Sequence, residues 1–295
     1  MSVKVQRSFA EQQQGQDYGT LYLVATPIGN LEDMTYRAVR ILREADIIAA
    51  EDTRQTRKLL SHFEITPGKL LSYHDHNRLA SGPELVRLII EGKNLALVSD
   101  AGLPAISDPG SDLVKLAIEA GISVVPVPGA NAALSALIVS GLPTDSFKFI
   151  GFLPREQRER DEMLHLQQEE QSTLLLYESP HRLVKSLESM LAVLGNRRIV
   201  LARELTKRFE EMARGTIREC LEWLGEHPPM GEYCIVVEGA DPEELEEKRN
   251  AWWKPLSIHD HVAHYEEEGL SRKEAMKKTA HDRGVSKRDI YQSLI

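Results

Sequence analysis

The sequence has 295 residues, of which 42% are hydrophobic and 27% are charged, and its formal net charge is −9 at pH 7. This composition is that of an ordinary globular protein, and the length allows more than one domain. It predicts no membrane span, because no run of about 18 apolar residues occurs, and the net charge disfavours bulk unspecific binding to nucleic acid. Residues 1–18 are polar and lack a signal-peptide core, so we expect a flexible tail. Cys220 and Cys234 fit no metal-binding spacing, which favours reduced thiols in a cytoplasmic protein.

Short β-rich runs alternate with amphipathic segments in the first half of the chain. The predicted strands span residues 20–26, 46–52, 69–74, 94–100 and 122–128. Helices are predicted between them, for example over 35–45 and 111–120, where apolar residues recur at i, i+3 and i+4. Strands that alternate with helices indicate an α/β fold with a parallel sheet and right-handed crossovers.

The second half repeats this alternation. The predicted strands span residues 147–154, 172–179, 197–206 and 232–239, and the predicted helices span 155–170, 181–195 and 217–226. Residues 131–141 are predicted as a buried helix or a bridge between the halves. Beyond Gly239 the sequence changes to an acidic linker and three short helices, for which Ser271 and Ser286 are the expected N-caps and Gly269 and Gly284 the expected ends. This pattern is typical of a helix-turn-helix module.

The strand ends of the first half carry glycine, proline and small polar residues. They lie at residues 26–30, 51–54, 99–109 and 126–131. Glycine lets the backbone approach a ligand closely and proline stiffens a loop, and ligands of open parallel sheets bind beyond the carboxyl ends of the strands. The pattern predicts a cofactor shelf, with ordinary βα turns as the alternative.

The type of cofactor is narrowed by motifs that the sequence lacks. Neither G-x-G-x-x-G nor G-x-x-x-x-G-K-[ST] occurs, which argues against a dinucleotide and against a P-loop nucleotide site. Acidic loops without a phosphate cradle suit S-adenosylmethionine, because its sulfonium and ammonium groups are positive and its ribose hydroxyls need acceptors such as Asp100.

A family resemblance is carried by motifs that occur in order over residues 20–239. They are LYLVATPIGNLEDMTYRA, AAEDTR, VSDAGLPAISDPG, VPVPGANAALSA, FIGFLP, YESPHRL, ARELTKRFE and GEYCIVV. Together they resemble the tetrapyrrole-methylase superfamily and, more narrowly, its bacterial branch of 16S ribosomal RNA cytidine 2′-O-methyltransferases. The Pro-Ile-Gly of the first loop, where many members have a Gly-x-Gly, agrees with the ribosomal branch.

The resemblance implies two α/β domains with the cofactor cleft between them, a small C-terminal helical module that contacts RNA, and a homodimer. The implied segments are a tail at 1–18, domains at 19–129 and 130–240, a linker at 241–256 and the helical module at 257–295. The residues implied to bind S-adenosylmethionine are Pro27, Asp100, Ala101, Leu103, Asn131, Ala132, Tyr177 and Gly231 with its neighbour Glu232.

Methyl transfer to a ribose hydroxyl requires alignment, exclusion of water, and a base or cation near the weakly acidic acceptor. The catalytic candidates are Glu178, Arg203, Lys207 and Glu210, with Glu204, Asp52 and Arg54 as further possibilities. The alternative interpretation is that Arg203 and Glu204 form a structural ion pair and that Lys207 and Arg208 lie on the surface.

Contacts with RNA are expected from basic and aromatic side chains. The candidate phosphate ligands are Arg155, Arg158, Arg160, Arg197, Arg198, Arg203, Lys207, Arg208, Arg214 and the pairs Arg272-Lys273 and Lys277-Lys278. Phe152 or Phe209 is a candidate to stack on a flipped base. The alternative for residues 158–162 is a solvated helix face.

Two histidine-rich segments of the sequence bear on metal binding. Residues 73–77 place two histidines around an aspartate, a pattern that can bind zinc, but no further ligand completes the set in sequence. We expect instead a polar cluster at a strand end that faces the cleft, and no metal. His259, His261 and His264 are expected to be surface or helix-packing residues, and the pair Trp252-Trp253 is expected to anchor the linker to a core.

The function predicted from these observations is methylation of a cytidine ribose in 16S ribosomal RNA, in the decoding region of the small subunit, with S-adenosylmethionine as donor. Two alternatives stay open: a methyltransferase for tetrapyrroles or other small molecules, and a non-catalytic RNA-binding assembly factor.

Overall fold

The computed structural model describes residues 5–6, 18–250 and 252–294, so most of the predicted tail lies outside the described residues. The chain divides into two compact units. The first contains both β-sheets and comprises the described residues up to 168 together with 172–238. The second comprises 169–171 and the described residues from 239 onward. Within the described part, no helix combines the length and apolarity that a membrane crossing requires.

Strands and helices alternate through most of the first unit. The strands are β1 (Thr20–Val24), β2 (Ile47–Ala50), β3 (Lys69–Ser72), β4 (Leu95–Val98), β5 (Ser123–Val127), β6 (Phe147–Phe152), β7 (Thr173–Glu178), β8 (Arg198–Arg203), β9 (Glu211–Thr216) and β10 (Tyr233–Val237). The helices of both units are α1 (Tyr36–Glu44), α2 (Thr53–His62), α3 (Arg78–Ile90), α4 (Ser111–Glu119), α5 (Ala132–Ser140), α6 (Gln157–His165), α7 (Leu183–Leu194), α8 (Ile217–Glu226), α9 (Pro242–Asn250), α10 (Ile258–Glu267), α11 (Arg272–Arg283) and α12 (Lys287–Ser293).

The first sheet has the strand order β3-β2-β4-β1-β5, and every neighbouring pair is parallel, as predicted. All residues of β2 and β4 are buried, because apolar clusters that include α1 and α2 on one face and α3 and α4 on the other cover the sheet. Parallel strands covered on both faces need apolar side chains at every position. The carboxyl ends of all five strands therefore share one edge, where the glycine- and proline-rich loops lie.

The second sheet has the order β6-β7-β10-β8-β9 and is mixed. Only β6 and β7 are parallel, whereas β10 is antiparallel to β7 and β8, and β9 is antiparallel to β8. The parallel sheet predicted from the repeated alternation is therefore wrong for this half. The reason is the short loop from Glu204 to Glu210, which contains no helix and turns the chain back into β9.

Two predicted elements differ from the observed ones for local reasons. The strand predicted over 197–206 ends at Arg203, because Glu204 (φ 50°) and Thr206 (φ 65°) adopt left-handed backbone. Helix α5 packs one face on the second sheet, but the side chain of Ile138 is 75% exposed on its other face. The expectation of a buried helix therefore holds for one face only, and the alternative of a bridge between the halves stays a prediction.

The second unit contains helices α9 to α12, and α9 occupies most of the predicted linker. Ser271 and Ser286 form capping boxes with Glu274 and Asp289, and Gly284 ends α11 with φ 65°, as predicted. Trp252 packs against a core formed by α10, α11 and α12, which confirms the anchoring role expected for it.

Candidate active site

A pocket of about 410 Å³ lies at the carboxyl ends of β1, β2 and β4 and is closed on its other side by residues of the second sheet. Its first-sheet lining is Ile28, Glu51, Asp100, Ala101, Gly102, Leu103, Ile106, Ser107 and Asp108, followed by Asn131 and Ala132 at the start of α5. Its second-sheet lining is Phe152, Tyr177, Glu178, Ser179, Ala202, Glu204, Leu205, Lys207, Glu232, Tyr233 and Cys234. The volume suits a ligand of cofactor size, for which pockets of roughly 300–1,000 Å³ are usual.

The loop that follows β4 forms the floor of this pocket and has an unusual backbone. Gly102, Ala105, Ser107 and Gly110 all have positive φ angles, of 79°, 69°, 59° and 147°. Gly102 exchanges two backbone hydrogen bonds with Thr26, with N···O distances of 2.9 and 3.0 Å. Positive φ at alanine and serine is strained, and such strain persists where surrounding structure enforces it, often at functional sites.

The first-sheet wall of the pocket is acidic. Asp100 Oδ1 accepts a hydrogen bond from the backbone N–H of Asp52 at 3.0 Å, which fixes its carboxylate at the end of β4. Burial and the nearby charge of Glu51 raise the pKa of Asp108 to about 6. Burial and the charge of Asp100 likewise raise the pKa of Glu51. Such a wall attracts a cation, because a positive ligand relieves the repulsion among these groups.

Aromatic side chains build the opposite wall. The Tyr177 hydroxyl accepts a hydrogen bond from the backbone N–H of Ala133 at 3.3 Å, which ties the second sheet to the first turn of α5. The Tyr177 ring lies 5.2 Å from the ring of Phe149 and 5.6 Å from that of Phe152. Burial raises the pKa of Tyr177 to about 12, so the hydroxyl stays neutral. Phe152 lines the pocket yet is 53% exposed, which leaves part of its ring accessible.

Glu178 is only 2% exposed and is held from three sides. Its carboxylate accepts hydrogen bonds from Ser186 Oγ at 2.6 Å and from the backbone N–H of Ser179 at 2.9 Å. Arg182 Nε lies 3.4 Å from Glu178 Oε1, and the same guanidinium donates to the carbonyl of Pro154 at 3.0 Å. Glu178 therefore fixes Arg182, which in turn holds the loop after Phe152.

Lys207 is the cationic side chain of the pocket lining among the described residues. Its Nζ lies 2.9 Å from Glu204 Oε1 and 2.8 Å from Glu232 Oε2. The loop that carries it also reaches the first sheet, since the backbone N–H of Asn30 donates to Thr206 Oγ1 at 3.1 Å.

The predicted cofactor residues lie together. Asp100, Ala101, Leu103, Asn131, Ala132 and Tyr177 line the pocket, while Pro27 and Gly231 are next in sequence to the lining residues Ile28 and Glu232. Glu51 and Asp108 lie in loops predicted to form the cofactor shelf, but neither was singled out as a site residue. The available signal was their position, because Glu51 directly follows a buried strand and Asp108 lies in the loop after another.

The predicted catalytic residues divide into two groups. Glu178 and Lys207 line the pocket, whereas Arg203 and Glu210 do not. Arg203 donates to Glu211 at 2.9 Å and to the carbonyl of Met230 at 2.7 Å. Glu210 accepts from the backbone N–H of Thr206 at 2.6 Å, so it shapes the loop that carries Lys207.

Several of the basic residues considered for RNA are engaged within the protein. Arg198 pairs with Glu238, and Arg214 donates to the carbonyl of Val139 at 2.7 Å. Arg158 pairs with Glu162 on the exposed face of α6, as the alternative interpretation predicted. Arg160 is an exception to that solvated face, because it is only 5% exposed and donates to Ser189 Oγ at 2.9 Å.

The histidine-rich turn after β3 is organised by hydrogen bonds. Asn77 Oδ1 accepts from the backbone N–H of His74 at 2.8 Å, and Tyr73 is buried in the first-sheet core. Among the described residues no group of three or more histidine, cysteine, aspartate or glutamate side chains is arranged to hold a metal ion. Both cysteines are free and buried, and burial raises the pKa of Cys220 to about 11 and that of Cys234 to about 12.

Comparison with known proteins identifies the class. The profile of the tetrapyrrole (corrin/porphyrin) methylases matches residues 20–221, and the chain belongs to this family. Methyltransferases of this family use S-adenosylmethionine as the methyl donor.

Relatives of nearly equal length share one name. The chain is 56% identical over 293 residues to the "Ribosomal RNA small subunit methyltransferase I" of Halalkalibacterium halodurans, with 98% of both chains covered. It is 52% identical over 278 residues to the protein of that name from Bacillus subtilis, with 94% of both chains covered.

Solved structures share the fold at low sequence identity. Uroporphyrin-III-C-methyltransferase from Thermus thermophilus matches with a TM-score of 0.51 and 24% identity, covering 75% of this chain and 94% of the other. Diphthine synthase matches with a TM-score of 0.58 and 14% identity, covering 75% and 90%. These similarities confirm the fold class predicted from the sequence.

Proposed function

We propose that this protein transfers a methyl group from S-adenosylmethionine to the 2′-oxygen of a cytidine ribose in 16S ribosomal RNA, in the decoding region of the small subunit. The observation that carries the proposal is the identity over almost the full length with relatives named for small-subunit ribosomal RNA methylation. The preferred acceptor is the assembled small subunit, and the site of action is the cytoplasm.

The pocket fits the proposed donor in size and in charge. Asp100, Asp108 and Glu51 form an acidic wall that suits sulfonium and ammonium groups, and Tyr177 with Phe152 offers aromatic surface. We propose that the residues predicted for cofactor binding, including Pro27 and Gly231 at the rim, hold the donor there. When bound, S-adenosylmethionine supplies the methyl group: its carbon bonds to the acceptor oxygen as the carbon–sulfur bond breaks, and the electron pair goes to sulfur.

In the proposed reaction, the residues of this chain orient the acceptor and exclude water. Burial of Glu178 and the anchoring of Arg182 hold the loop that follows Phe152. The exposed ring area of Phe152 at the pocket suits stacking on the target base, because base–aromatic stacking tolerates a splayed nucleotide. Alignment of this kind supplies roughly 7–11 kcal/mol in a well-organised site.

The C-terminal unit is proposed to contact RNA. Arg272, Lys273 and Lys277 lie on the exposed surface of α11. Their charges suit phosphate groups.

A second copy of the chain is the proposed partner of α5. This helix is apolar around most of its circumference, and Leu134, Ile138 and Val139 are exposed on it. Exposed apolar helix faces of this kind mark protein–protein contacts. We expect Ile138→Asp to convert a dimer to a monomer in light scattering, while Lys185→Asp on the exposed face of α7 leaves the dimer intact.

Incubation with methyl-labelled S-adenosylmethionine tests the activity. Small ribosomal subunits from cells lacking the protein are expected to take up label on a cytidine ribose. Label in tetrapyrrole precursors instead would favour the small-molecule alternative. Absence of heat on calorimetric titration with S-adenosylmethionine would favour the non-catalytic assembly factor.

A further inference from the structure

Glu204, Lys207 and Glu232 form a connected group at the second-sheet side of the pocket, which we call the lysine bracket. Glu204 Oε1 accepts from Lys207 Nζ and from the backbone N–H of Glu232, both at 2.9 Å. Glu232 Oε2 accepts from Lys207 Nζ at 2.8 Å. All three residues line the pocket, so the bracket faces the space in which donor and acceptor must meet.

The bracket keeps Lys207 charged. Burial by itself would lower the pKa of Lys207, but hydrogen bonds to Glu232 and Glu204 outweigh burial and raise that pKa. An ammonium group has three N–H donors. Two of them are engaged by the carboxylates, which leaves one N–H donor on a side chain that lines the pocket. A lysine held in this way is a poor base and a good hydrogen-bond donor to developing negative charge.

The two carboxylates of the bracket are not equivalent. The side chain of Glu204 is 17% exposed, its Oε1 receives two hydrogen bonds, and the backbone N–H of Glu232 together with Lys207 lowers its pKa. The side chain of Glu232 is 82% exposed and accepts through Oε2. Glu232 is therefore the carboxylate with room to receive a proton and to release it to water.

Close contacts fix the geometry of the bracket. Glu204 has φ 50°, and a Cβ on Gly231 would lie 2.5 Å from Glu204 Cγ. A Cβ on Gly29 would lie 2.3 Å from Lys207 Cγ, so the stem of Lys207 rests on the first-sheet loop. Strained backbone and side-chain-free neighbours show that the surrounding structure enforces this arrangement.

We propose that Lys207 donates its third N–H to the acceptor oxygen, that Glu232 receives the acceptor proton, and that Glu204 is the positioning residue for both. The inference rests on the proposed function. In the step, the O–H bond of the ribose breaks, the proton passes to a Glu232 carboxylate oxygen, and the electron pair left on oxygen forms the bond to the methyl carbon as the carbon–sulfur bond breaks and its electron pair stays on sulfur. Lys207 keeps its proton throughout and stabilises the charge that develops on oxygen.

Single-turnover methyl transfer to small ribosomal subunits, at saturating donor and enzyme, tests the roles. We expect Lys207→Met and Glu232→Gln each to lower the rate by about 10²–10³-fold. For Lys207→Met, calorimetry with S-adenosylmethionine and filter binding of subunits are expected to give dissociation constants within about threefold of wild type. Glu232→Gln lies at a residue predicted to contact the donor and is expected to weaken donor binding as well, so its rate is compared only at saturating donor. Lys185→Met and Glu188→Gln, on the exposed face of α7, are the matched controls and should leave the rate unchanged.

Glu204→Gln tests the positioning role. We expect about a tenfold loss of the saturated rate with unchanged dissociation constants, since the neutral amide holds Lys207 less firmly. A merely structural role would lower the thermal midpoint or the affinity and leave the saturated rate of the folded enzyme unaltered, which would overturn the positioning role. Partial recovery of Lys207→Ala by added methylammonium is expected, because a free ammonium ion can replace the missing donor.

The protonation state of Lys207 has an independent readout. The side-chain NMR signals of Lys207, assigned by their loss in Lys207→Arg, are expected to titrate above the ordinary value of 10.5. A titration near neutral pH would overturn the proposal. Lys207→Met that weakens subunit binding and leaves the saturated rate intact would also overturn it, by making Lys207 an RNA contact. If the wild-type enzyme transfers no label to ribose, the proposed function is wrong. This outcome is seen with the wild-type enzyme alone, so it is distinguished from a failure of the roles assigned to the lysine bracket.

Discussion

Asn30 and Thr206 join the two walls of the pocket: the backbone N–H of Asn30 donates to Thr206 Oγ1 at 3.1 Å. Asn30 belongs to the loop after β1, and Thr206 to the loop after β8. The residue next to Thr206 is Lys207, whose stem lies against Gly29. The position of the lysine bracket therefore depends on a contact between residues that are far apart in sequence.

Thr206→Val removes this hydrogen bond with little change of shape. The partly buried N–H of Asn30 then lacks its partner, so the free energy of unfolding should fall by about 1 kcal/mol. The affinity for S-adenosylmethionine should fall with it. Urea unfolding and calorimetry measure the two effects, and Thr144→Val at an exposed position is the control. Equal stability and affinity of Thr206→Val and wild type would show that the contact does not support the pocket.

Two glycines are expected to respond to alanine in opposite directions. Gly231 has φ 75°, and a Cβ there would meet the Glu204 side chain. Gly231→Ala should therefore lower the free energy of unfolding by about 1–3 kcal/mol. It should also displace the lysine bracket and slow methyl transfer. Gly225 lies in α8 with no atom within 4 Å of an added Cβ, so Gly225→Ala should stabilise the protein by about 0.5–1 kcal/mol. Destabilisation by both substitutions in urea unfolding would contradict this account.

The affinity for S-adenosylmethionine is expected to depend on pH through Asp108. Its pKa of about 6 means that the carboxyl group gains a proton as the pH falls through this value, and the acidic wall then loses charge. If the cationic donor binds the ionised form, the dissociation constant at pH 5.5 should be about fourfold larger than at pH 7.5. Calorimetry at both pH values measures this ratio.

Variants assign the pH dependence to one group. Asp108→Asn should flatten it, because the amide does not titrate, whereas Asp145→Asn at an exposed position should retain it. Glu51, Asp100 and Asp75 also face Asp108 and share its field. If Asp108→Asn kept the pH dependence of wild type, one of these other carboxylates, and not Asp108, would be its cause.

The C-terminal unit is expected to lose stability in acid through His261. Its side chain is 0% exposed, Nδ1 accepts from Arg283 Nε at 3.1 Å, and Nε2 lies 3.3 Å from Asp282 Oδ2 without a well-aligned hydrogen bond. Burial and the charge of Arg283 lower the pKa of His261 below its ordinary value of 6.5. The unfolded chain therefore binds more protons than the folded unit, and the stability falls as the pH decreases through 6.5.

Hydrogen exchange measures this effect. Protection of amides in α10 and α11, corrected for intrinsic exchange, should be lower at pH 5.5 than at pH 7.5. Trp252, Trp253 and Tyr265 pack against His261, and the charge of His264 also acts on it. All four residues are unchanged in the variant His261→Gln, which should lose the pH dependence. His181→Asn, at an exposed position of the first unit, should retain it. Equal protection at both pH values in wild type would contradict the assignment.

The first sheet was predictable because its inner strands β2 and β4 are buried along their whole length. Continuous apolar runs such as that of β4, followed by glycine and proline, mark strand and strand end together. The strand order and strand directions of the second sheet were less predictable. Strand β9 has the polar sequence EMARGT and is partly buried at the sheet edge, so it gives no apolar signal. Without it the hairpin and the mixed strand order are not evident from the sequence.

Two parts of the candidate site were predictable: the loops whose backbone conformation requires glycine, and the segments whose motifs carry the family resemblance. The loop containing Gly102 and Gly110 is of the first kind, because both have positive φ. The raised pKa values of Glu51 and Asp108 could not be predicted, because they depend on burial and on the distance between two strand ends. Arg203 was misleading, because its partners, Glu211 and Met230, follow it in a hairpin and a loop that the sequence does not reveal.

The most direct test of the central claim is a map of ribose methylation in ribosomal RNA from cells with and without this protein, with a third strain that carries Lys207→Met. The account predicts that one cytidine of the 16S decoding region loses its 2′-O-methyl group in the strain without the protein and remains unmethylated with Lys207→Met. An identical methylation pattern with and without the protein would contradict it.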